Sequence, residues 1–423
     1  MINYDEVRKY HLQKRCSELA DLYRNRNELS FLNTALLDDD SGKTAAIKDV
    51  LEAEGFRYRL YDAADQIKNK SRLRIVYLIP HSNITGGLKI LIEQSNRLAV
   101  LGHEVLLYSH CPKPQWIECR NPYFVVNPEN NLSDVVPPVD VVIAGYWDLV
   151  VDALRVKAPL KYHFAQGDYD IFDYERLDRN IQNIIGTAYT LPVKIITVSG
   201  IMQKRILELF GRKSVIIPNA LDRKVFHSKN TANRENGVLQ VLLVGSDGIL
   251  FKGHVIILSA LYQLKKAGYP FQIHWITQTK LQYNYEDLGF GIKEYVAPTQ
   301  KEIGDIYRSS DLYICGSYYE SFALPPLEAM ACGAAVITSD NGGIGEYAKD
   351  AYNSLIYKAG NAEQLKEKLE LAFNHPELRA KLRENGFITA KNFSWNKSIQ
   401  RLQKELVHST QSIVQAKPLV RQV

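Results

Sequence analysis

The stretch DLYICGSYYESFALPPLEAMACGAAVITSD, residues 311–340, decides how this chain folds. It opens on a short, almost wholly apolar run (311–317) and closes on a second one, AAVITSD (334–340). Between them Pro325 and Pro326 suit the first turn of a helix, where a missing N–H costs nothing. Leu327, Met330 and Ala331 then give an apolar helical face, and Gly333 is a good stop. The unit reads strand, loop, helix, strand. Strands with no polar face are buried on both sides, which implies a parallel sheet covered by helices.

The same rhythm runs outward in both directions. Upstream lie LQVLLVGS (239–246), FQIHWIT (271–277) and IKEYVAP (292–298), and downstream lies SLIYK (354–358). Before the polar stretch HSKNTANRENG (227–237), which reads as a linker, a first set of runs appears. These are RLRIVYLIP (72–80), HEVLLYSH (103–110), VDVVIAGYW (139–147), KYHFAQG (161–167), VKIITVSG (193–200) and KSVIIPNA (213–220). The expected fold class is α/β, with two doubly wound parallel-sheet domains facing a cleft and ligands at the carboxyl ends of the strands. Expected boundaries are 71–230 for the first domain, completed by a C-terminal helix at about 393–412, and 237–390 for the second. Residues 1–70 are rich in charge, carry helical apolar spacing and lack a strand pattern, so they read as a helical N-terminal extension.

Composition narrows the function classes. The chain has 423 residues, 46% apolar and 23% charged, ordinary values for a globular enzyme of two or three domains. Fifty-two Lys and Arg against 47 Asp and Glu leave a net charge of +5, too little to argue for nucleic acid. Five scattered cysteines with no C-x-x-C pair give neither a disulfide framework nor a zinc site, and point to a reducing cytoplasm. The start MINYDEVRKYHLQKR is too charged for a signal peptide, and no stretch approaches the ~18 apolar residues of a spanning helix. The triplets at Asn83, Asn131, Asn392 and Asn396 are then chance matches to a glycosylation site.

Two carboxylates stand eight positions apart in the deciding stretch: Glu320 in the strand–helix loop and Glu328 in the first turns of the helix. A carboxylate suits vicinal hydroxyls, because it accepts two charge-assisted hydrogen bonds. The free amides of Ser321, Phe322, Ala323 and Leu324, with the positive end of the helix, favour an electron-rich ligand. Either glutamate alone is an ordinary loop or helix-face residue; the set with Pro325, Pro326, Ala329 and Gly333 is not.

This set resembles the two-glutamate motif of the retaining glycosyltransferases of group 1, the large family that includes sucrose synthase and many bacterial polysaccharide transferases. Ile217-Pro218-Asn219 with Asp222 and Phe226, Ser199, and Gly342-Gly343-Ile344 with Glu346 extend the resemblance over about residues 72–410. It implies the GT-B fold of two Rossmann-like domains. It also implies a nucleotide diphosphate sugar as donor, Glu320 on the donor sugar's hydroxyls and Glu328 on the ribose. In GSDGILFKG (245–253), Lys252 would neutralise the leaving diphosphate; the family's usual arginine is replaced by Ser246. In HSNITGGL (81–88), Gly86 and Gly87 let backbone approach a phosphate or sugar. In KYHFAQGDYDIF (161–172), His163, Gln166 and Asp168 are acceptor-side candidates, with Asp168 preferred for the acceptor hydroxyl and an interior position an equal alternative for His163.

The implied reaction is transfer with retention, by front-face attack in which the departing β-phosphate takes the acceptor proton. The acceptor would be a glycan or lipid-linked glycan, and likeness to bacterial surface-polysaccharide enzymes makes dTDP-L-rhamnose the leading donor, ahead of UDP- and GDP-sugars. No metal and no cofactor are expected. Asp168-Tyr169-Asp170 imitates the metal-binding Asp-x-Asp of single-domain transferases, and Ser41-Gly42-Lys43-Thr44 imitates the end of a P-loop but lacks its first glycine. A nucleotide-sugar 2-epimerase on the same fold and a non-catalytic sugar-binding paralogue are the competing readings. Finally, Arg8, Lys9, Lys14, Arg15, Arg24 and Arg26 among Val7, Leu12, Leu19, Leu22 and Tyr23 read first as a helix packed on the first domain with its charges in water, and alternatively as peripheral contact with the inner membrane face.

Overall fold

The structure, a computed structural model, describes Cys16 and residues 71–167, 169–228, 238–289 and 291–415. The helical extension and the membrane-contact segment expected within residues 1–70, and the preferred acceptor-side residue Asp168, therefore lie outside the described residues, apart from Cys16, which is helical.

The described chain divides into two compact units. The first ends at Ile217 and resumes at Ile399, and the second is Pro218–Ser398. The first carries a seven-stranded sheet in the order β3-β2-β1-β4-β5-β6-β7. Its strands are β1 (Arg74–Leu78), β2 (Glu104–Ser109), β3 (Tyr123–Val125), β4 (Val141–Ala144), β5 (Leu160–Ala165), β6 (Lys194–Thr197) and β7 (Val215–Ile216). The second carries a six-stranded sheet in the order β10-β9-β8-β11-β12-β13. Here the strands are β8 (Leu239–Val244), β9 (Phe271–Thr277), β10 (Ile292–Val296), β11 (Leu312–Cys315), β12 (Ala335–Ser339) and β13 (Leu355–Tyr357). Every strand pairing in both sheets is parallel, as the two-faced apolar runs require.

Both sheets show why the apolar runs stop where they do. In β1, β4 and β11 nearly every side chain is buried, because helices cover both faces. The core of the second unit sets Val241, Leu243, Ile273, Trp275 and Ile314 against Leu261 of the helix His254–Lys266. Strand β3 escaped the sequence reading, since it is a three-residue edge strand with Phe124 and Val125 exposed. Helix starts are capped as their sequences dictate. Thr85 accepts from the Leu88 amide at 3.1 Å to open Gly86–Val100, and Thr299 forms a capping box with Glu302 to open Gln300–Ser309. Ser199 caps Gly200–Phe210 by accepting from the Met202 amide.

The expected boundaries at 230 and 237 differ from the division by contacts, and the reason is local. Leu221 donates its amide to the Phe393 carbonyl at 3.1 Å, and Phe226 packs edge-on against Tyr307 at 5.4 Å, so the segment after Ile217 adheres to the second unit. The last described helix, Trp395–Gln415, returns to the first unit. There Glu405 accepts from the Tyr162 hydroxyl, and Lys194 donates to Ser409 at 2.8 Å. Among the described residues no helix is long and apolar enough to cross a membrane.

Candidate functional site

The carboxyl ends of β8 and β11, neighbours in the second sheet, release the two loops that hold the chemistry. The loops interlock through backbone. The Tyr318 amide donates to the Phe251 carbonyl at 2.8 Å, and the rings of Phe251 and Tyr319 stack at 4.9 Å. Gly253 and Gly316 touch: a Cβ on Gly253 would stand 2.1 Å from the Gly316 carbonyl oxygen. That closeness brings Lys252 onto Glu320. Its Nζ donates to Glu320 Oε1 at 2.6 Å, and Ser317 Oγ donates to the same oxygen at 2.8 Å. The side chains of Lys252 and Glu320 are 23% and 16% exposed, partly dry, which strengthens their attraction relative to a surface pair.

Glu320 is held from behind as well. Its amide donates to the Asn341 carbonyl at 2.9 Å, and it forms an isolated bridge with Gly342. At Gly343 any side chain would collide with this segment, since a Cβ would lie 2.5 Å from the Glu320 carbonyl oxygen and 2.6 Å from the Phe322 amide nitrogen. The glycine pair noted in the sequence thus exists to let two backbone segments touch. The helix Leu324–Cys332 follows, entered through Ala323 at φ 57°, with Pro325 and Pro326 in its first turn. Lys252, His254, Ser317, Glu320 and Pro325 line one pocket at the head of this helix. A pocket combining a cation, a carboxylate and a helix N-terminus can bind a phosphate and a hydroxyl-bearing group side by side.

The other sequence candidates separate into groups. Glu328 lies in the second turn of the helix, only 9% exposed, and accepts from the Tyr307 hydroxyl at 3.1 Å. Phe322 is buried against Tyr347 and Phe393, which leaves only its backbone for ligand. Ser246 sits in the turn after β8, its carbonyl accepting from the Ile249 amide. In the first unit Gln166 Nε2 donates to the Gly87 carbonyl at 3.0 Å, so the strand β5 exit and the start of Gly86–Val100 meet.

His163 adopts the interior alternative. It is 1% exposed, its ring tilted 59° against Tyr189 at 4.8 Å, and so is an interior residue rather than an acceptor-side group. Strand alternation could not say which face was covered. Burial, aided by the Arg212 guanidinium, lowers its imidazole to about 3. Unfolded, the ring protonates near 6.5, so the unfolded chain holds the extra proton between those values. The stability is therefore present above pH 6.5 and lost as pH falls towards 3, by about 1.4 kcal/mol per unit. Urea unfolding at pH 7 and pH 5 should show a larger loss for wild type than for His163→Asn. Equal losses would mean that His163 does not titrate in this way.

Three residues escaped the sequence reading. Ser317 carries no motif. Asp247 was hidden inside the GSDGILFKG loop. His254 is the first residue of its helix, and burial lowers it to about 4. The decoy Asp170 is occupied structurally, accepting from the Tyr146 hydroxyl at 2.9 Å and from Trp147 Nε1 at 3.2 Å. Among the described residues no group of three His, Cys, Asp or Glu side chains is placed to hold a metal.

Comparison with known proteins places residues 228–388 and the fold. Residues 228–388 match the family model described as Glycosyl transferases group 1. An uncharacterised glycosyltransferase of Methanocaldococcus jannaschii is 29% identical over 224 residues, covering 51% of this chain and 60% of that protein. The N,N'-diacetylbacillosaminyl-diphospho-undecaprenol alpha-1,3-N-acetylgalactosaminyltransferase of Campylobacter jejuni is 34% identical over 119 residues, 28% of this chain and 31% of that one. The chain thus spans less than two thirds of the length of these relatives. Among solved structures, Anabaena HepE in complex with UDP-glucose has a TM-score of 0.64 at 16% identity, covering 80% of this chain and all of that one. The sucrose-phosphate synthase of Thermosynechococcus elongatus has a TM-score of 0.66 at 15% identity, covering 80% and 99%. The fold is GT-B.

Proposed function

We propose that this chain, a GT-B fold whose residues 228–388 carry a group 1 glycosyl transferase domain, transfers a sugar from a nucleotide diphosphate sugar to an acceptor hydroxyl with retention at the anomeric carbon. The observation that carries the reading is Lys252 and Glu320 side by side at the head of the helix Leu324–Cys332. In this reading Lys252 meets the β-phosphate, Glu320 takes the donor sugar's hydroxyls and Glu328 takes the ribose. The acceptor oxygen attacks C1 on the face from which the diphosphate leaves. As the new C1–O bond forms and the old one breaks, a β-phosphate oxygen accepts the acceptor's proton. Catalysis is then placement together with compensation of the charge growing on the diphosphate.

No cofactor is required in this scheme, and the donor binds without a metal ion. We take dTDP-L-rhamnose as the first donor to test, followed by UDP- and GDP-sugars, with a glycan or lipid-linked glycan hydroxyl as acceptor. The experiment is a thermal-shift screen of nucleoside diphosphates and their sugars, followed by turnover with the best donor in EDTA and NMR of the product's anomeric configuration. The expected result is a stabilising nucleotide, turnover that survives chelation, and a product with the donor's configuration. An inverted product would sink the front-face mechanism, and loss of turnover restored by Mg²⁺ or Mn²⁺ would sink metal independence. A protein that no nucleotide stabilises would sink the whole reading.

A further inference from the structure

Three non-glycine residues among the described ones have a left-handed backbone: Ala297, Ala323 and Ala351. Ala323 is the one between the two glutamates, at φ 57° and ψ 75°, immediately before the helix Leu324–Cys332. A β-carbon is costly in that region, which a glycine occupies freely. Such a conformation persists only where its surroundings over-determine it, and it concentrates at working sites. The surroundings of Ala323 are specific. The Tyr347 hydroxyl, twenty-four positions away in sequence, donates to the Ala323 carbonyl. Tyr347 is 5% exposed, and its ring meets Phe322 at 5.6 Å and Phe393 at 5.8 Å. Burial pushes the phenol well above its ordinary range, so the hydroxyl remains a donor.

Tyr347 is itself anchored to the segment behind Glu320. Its amide donates to the Ile344 carbonyl at 3.1 Å, and the Ile344 amide donates to Asn341 Oδ1 at 3.1 Å. Asn353 Nδ2 donates to the Tyr347 carbonyl at 2.8 Å. The carbonyl of the same Asn341 accepts from the Glu320 amide, so the tyrosine and the carboxylate share one support. Among the described residues, the amides of residues 321–324 have no acceptor within the protein. Uncommitted amides at the head of a helix suit the oxygens of a phosphate or a sugar, provided that the turn carrying them does not relax. We infer that Tyr347 is a positioning residue of the donor site. Its bond to the Ala323 carbonyl holds the left-handed turn, and with it the amides of residues 321–324, in the geometry that receives the donor.

This inference rests on the transferase reading, and its test separates the two. Calorimetry would titrate UDP, dTDP, GDP and ADP into wild type, Tyr347→Phe and the double variant Tyr347→Phe with Ala323→Gly. Urea unfolding of each protein accompanies the titrations. Phenylalanine keeps the ring contacts and removes only the donor. Tyr347→Phe should weaken the preferred nucleoside diphosphate about tenfold. Adding Ala323→Gly should recover most of that loss, because glycine adopts the left-handed turn without a brace. A tyrosine that merely packs would lower the urea midpoint on removal of its hydroxyl, leave the affinity of the folded protein alone and gain nothing from glycine. Wild-type affinity in Tyr347→Phe, or a double variant as weak as the single one, would therefore overturn the positioning role while the transferase reading stands. Wild type that binds none of the four nucleotides would overturn the inference and the reading together.

Discussion

Replacing Lys252 by alanine should lower kcat by about 100-fold or more, ~3 kcal/mol of transition-state stabilisation, with the donor that the nucleotide screen selects. The size follows from what the ammonium faces. In the free protein it is already balanced by Glu320 at 2.6 Å, so a bound diphosphate adds a second anion to a partly dry site. During transfer the charge on the departing diphosphate grows, and a fixed cation gains most at that moment. The ground state gains less, so KM should move less than kcat. Ser317 would still donate to Glu320 Oε1, which keeps the glutamate oriented and the fold intact. Lys252→Arg should not restore full activity, because a planar fork cannot occupy the position of a compact ammonium against one carboxylate oxygen. Steady-state kinetics on the two variants, with circular dichroism as the folding control, decide it. Alanine kinetics within a few-fold of wild type would place the diphosphate elsewhere.

The largest effect on stability is expected at Gly253. It combines φ +64° with a neighbour that a methyl group cannot avoid, the Gly316 carbonyl oxygen 2.1 Å from a built Cβ. The left-handed backbone alone costs an alanine roughly 1–2 kcal/mol, and forcing two loops apart adds about 1–3 more. Gly268 provides the comparison, since it has φ +88° but nothing within 4 Å of its Cβ. Gly268→Ala should therefore show the backbone cost alone, and Gly253→Ala the larger sum. Chemical denaturation of both variants measures the difference. Equal losses would mean that the Gly253–Gly316 approach is not tight in solution. Because the collision also moves Lys252, Gly253→Ala should lose nucleotide affinity, whereas Gly268→Ala should keep it.

Much of this molecule was already written in the order of its residues. The two-faced apolar runs specify parallel strands, because only burial on both sides removes the polar alternation. Pro325, Pro326 and Gly333 mark a helix whose ends need no partners, and they place Glu320 in the loop before it. Those signals are local, so the residues alone carry them. Pairing is not local. That Lys252 meets Glu320, sixty-eight positions away, depends on β8 lying next to β11 and on two glycines bare enough to let their loops touch. Whether His163 faces ligand or core depended on which helices cover β5, and alternation along one strand carries no record of that. Asp247 shows the same limit most clearly. As sequence it is one acid in a glycine-rich loop, and only the return of residues 281–285 turns its carboxylate into a three-donor clasp. A side chain's type and spacing set what it can do. The neighbours that desolvate it and supply its donors come from distant parts of the chain, and tertiary packing alone brings them there.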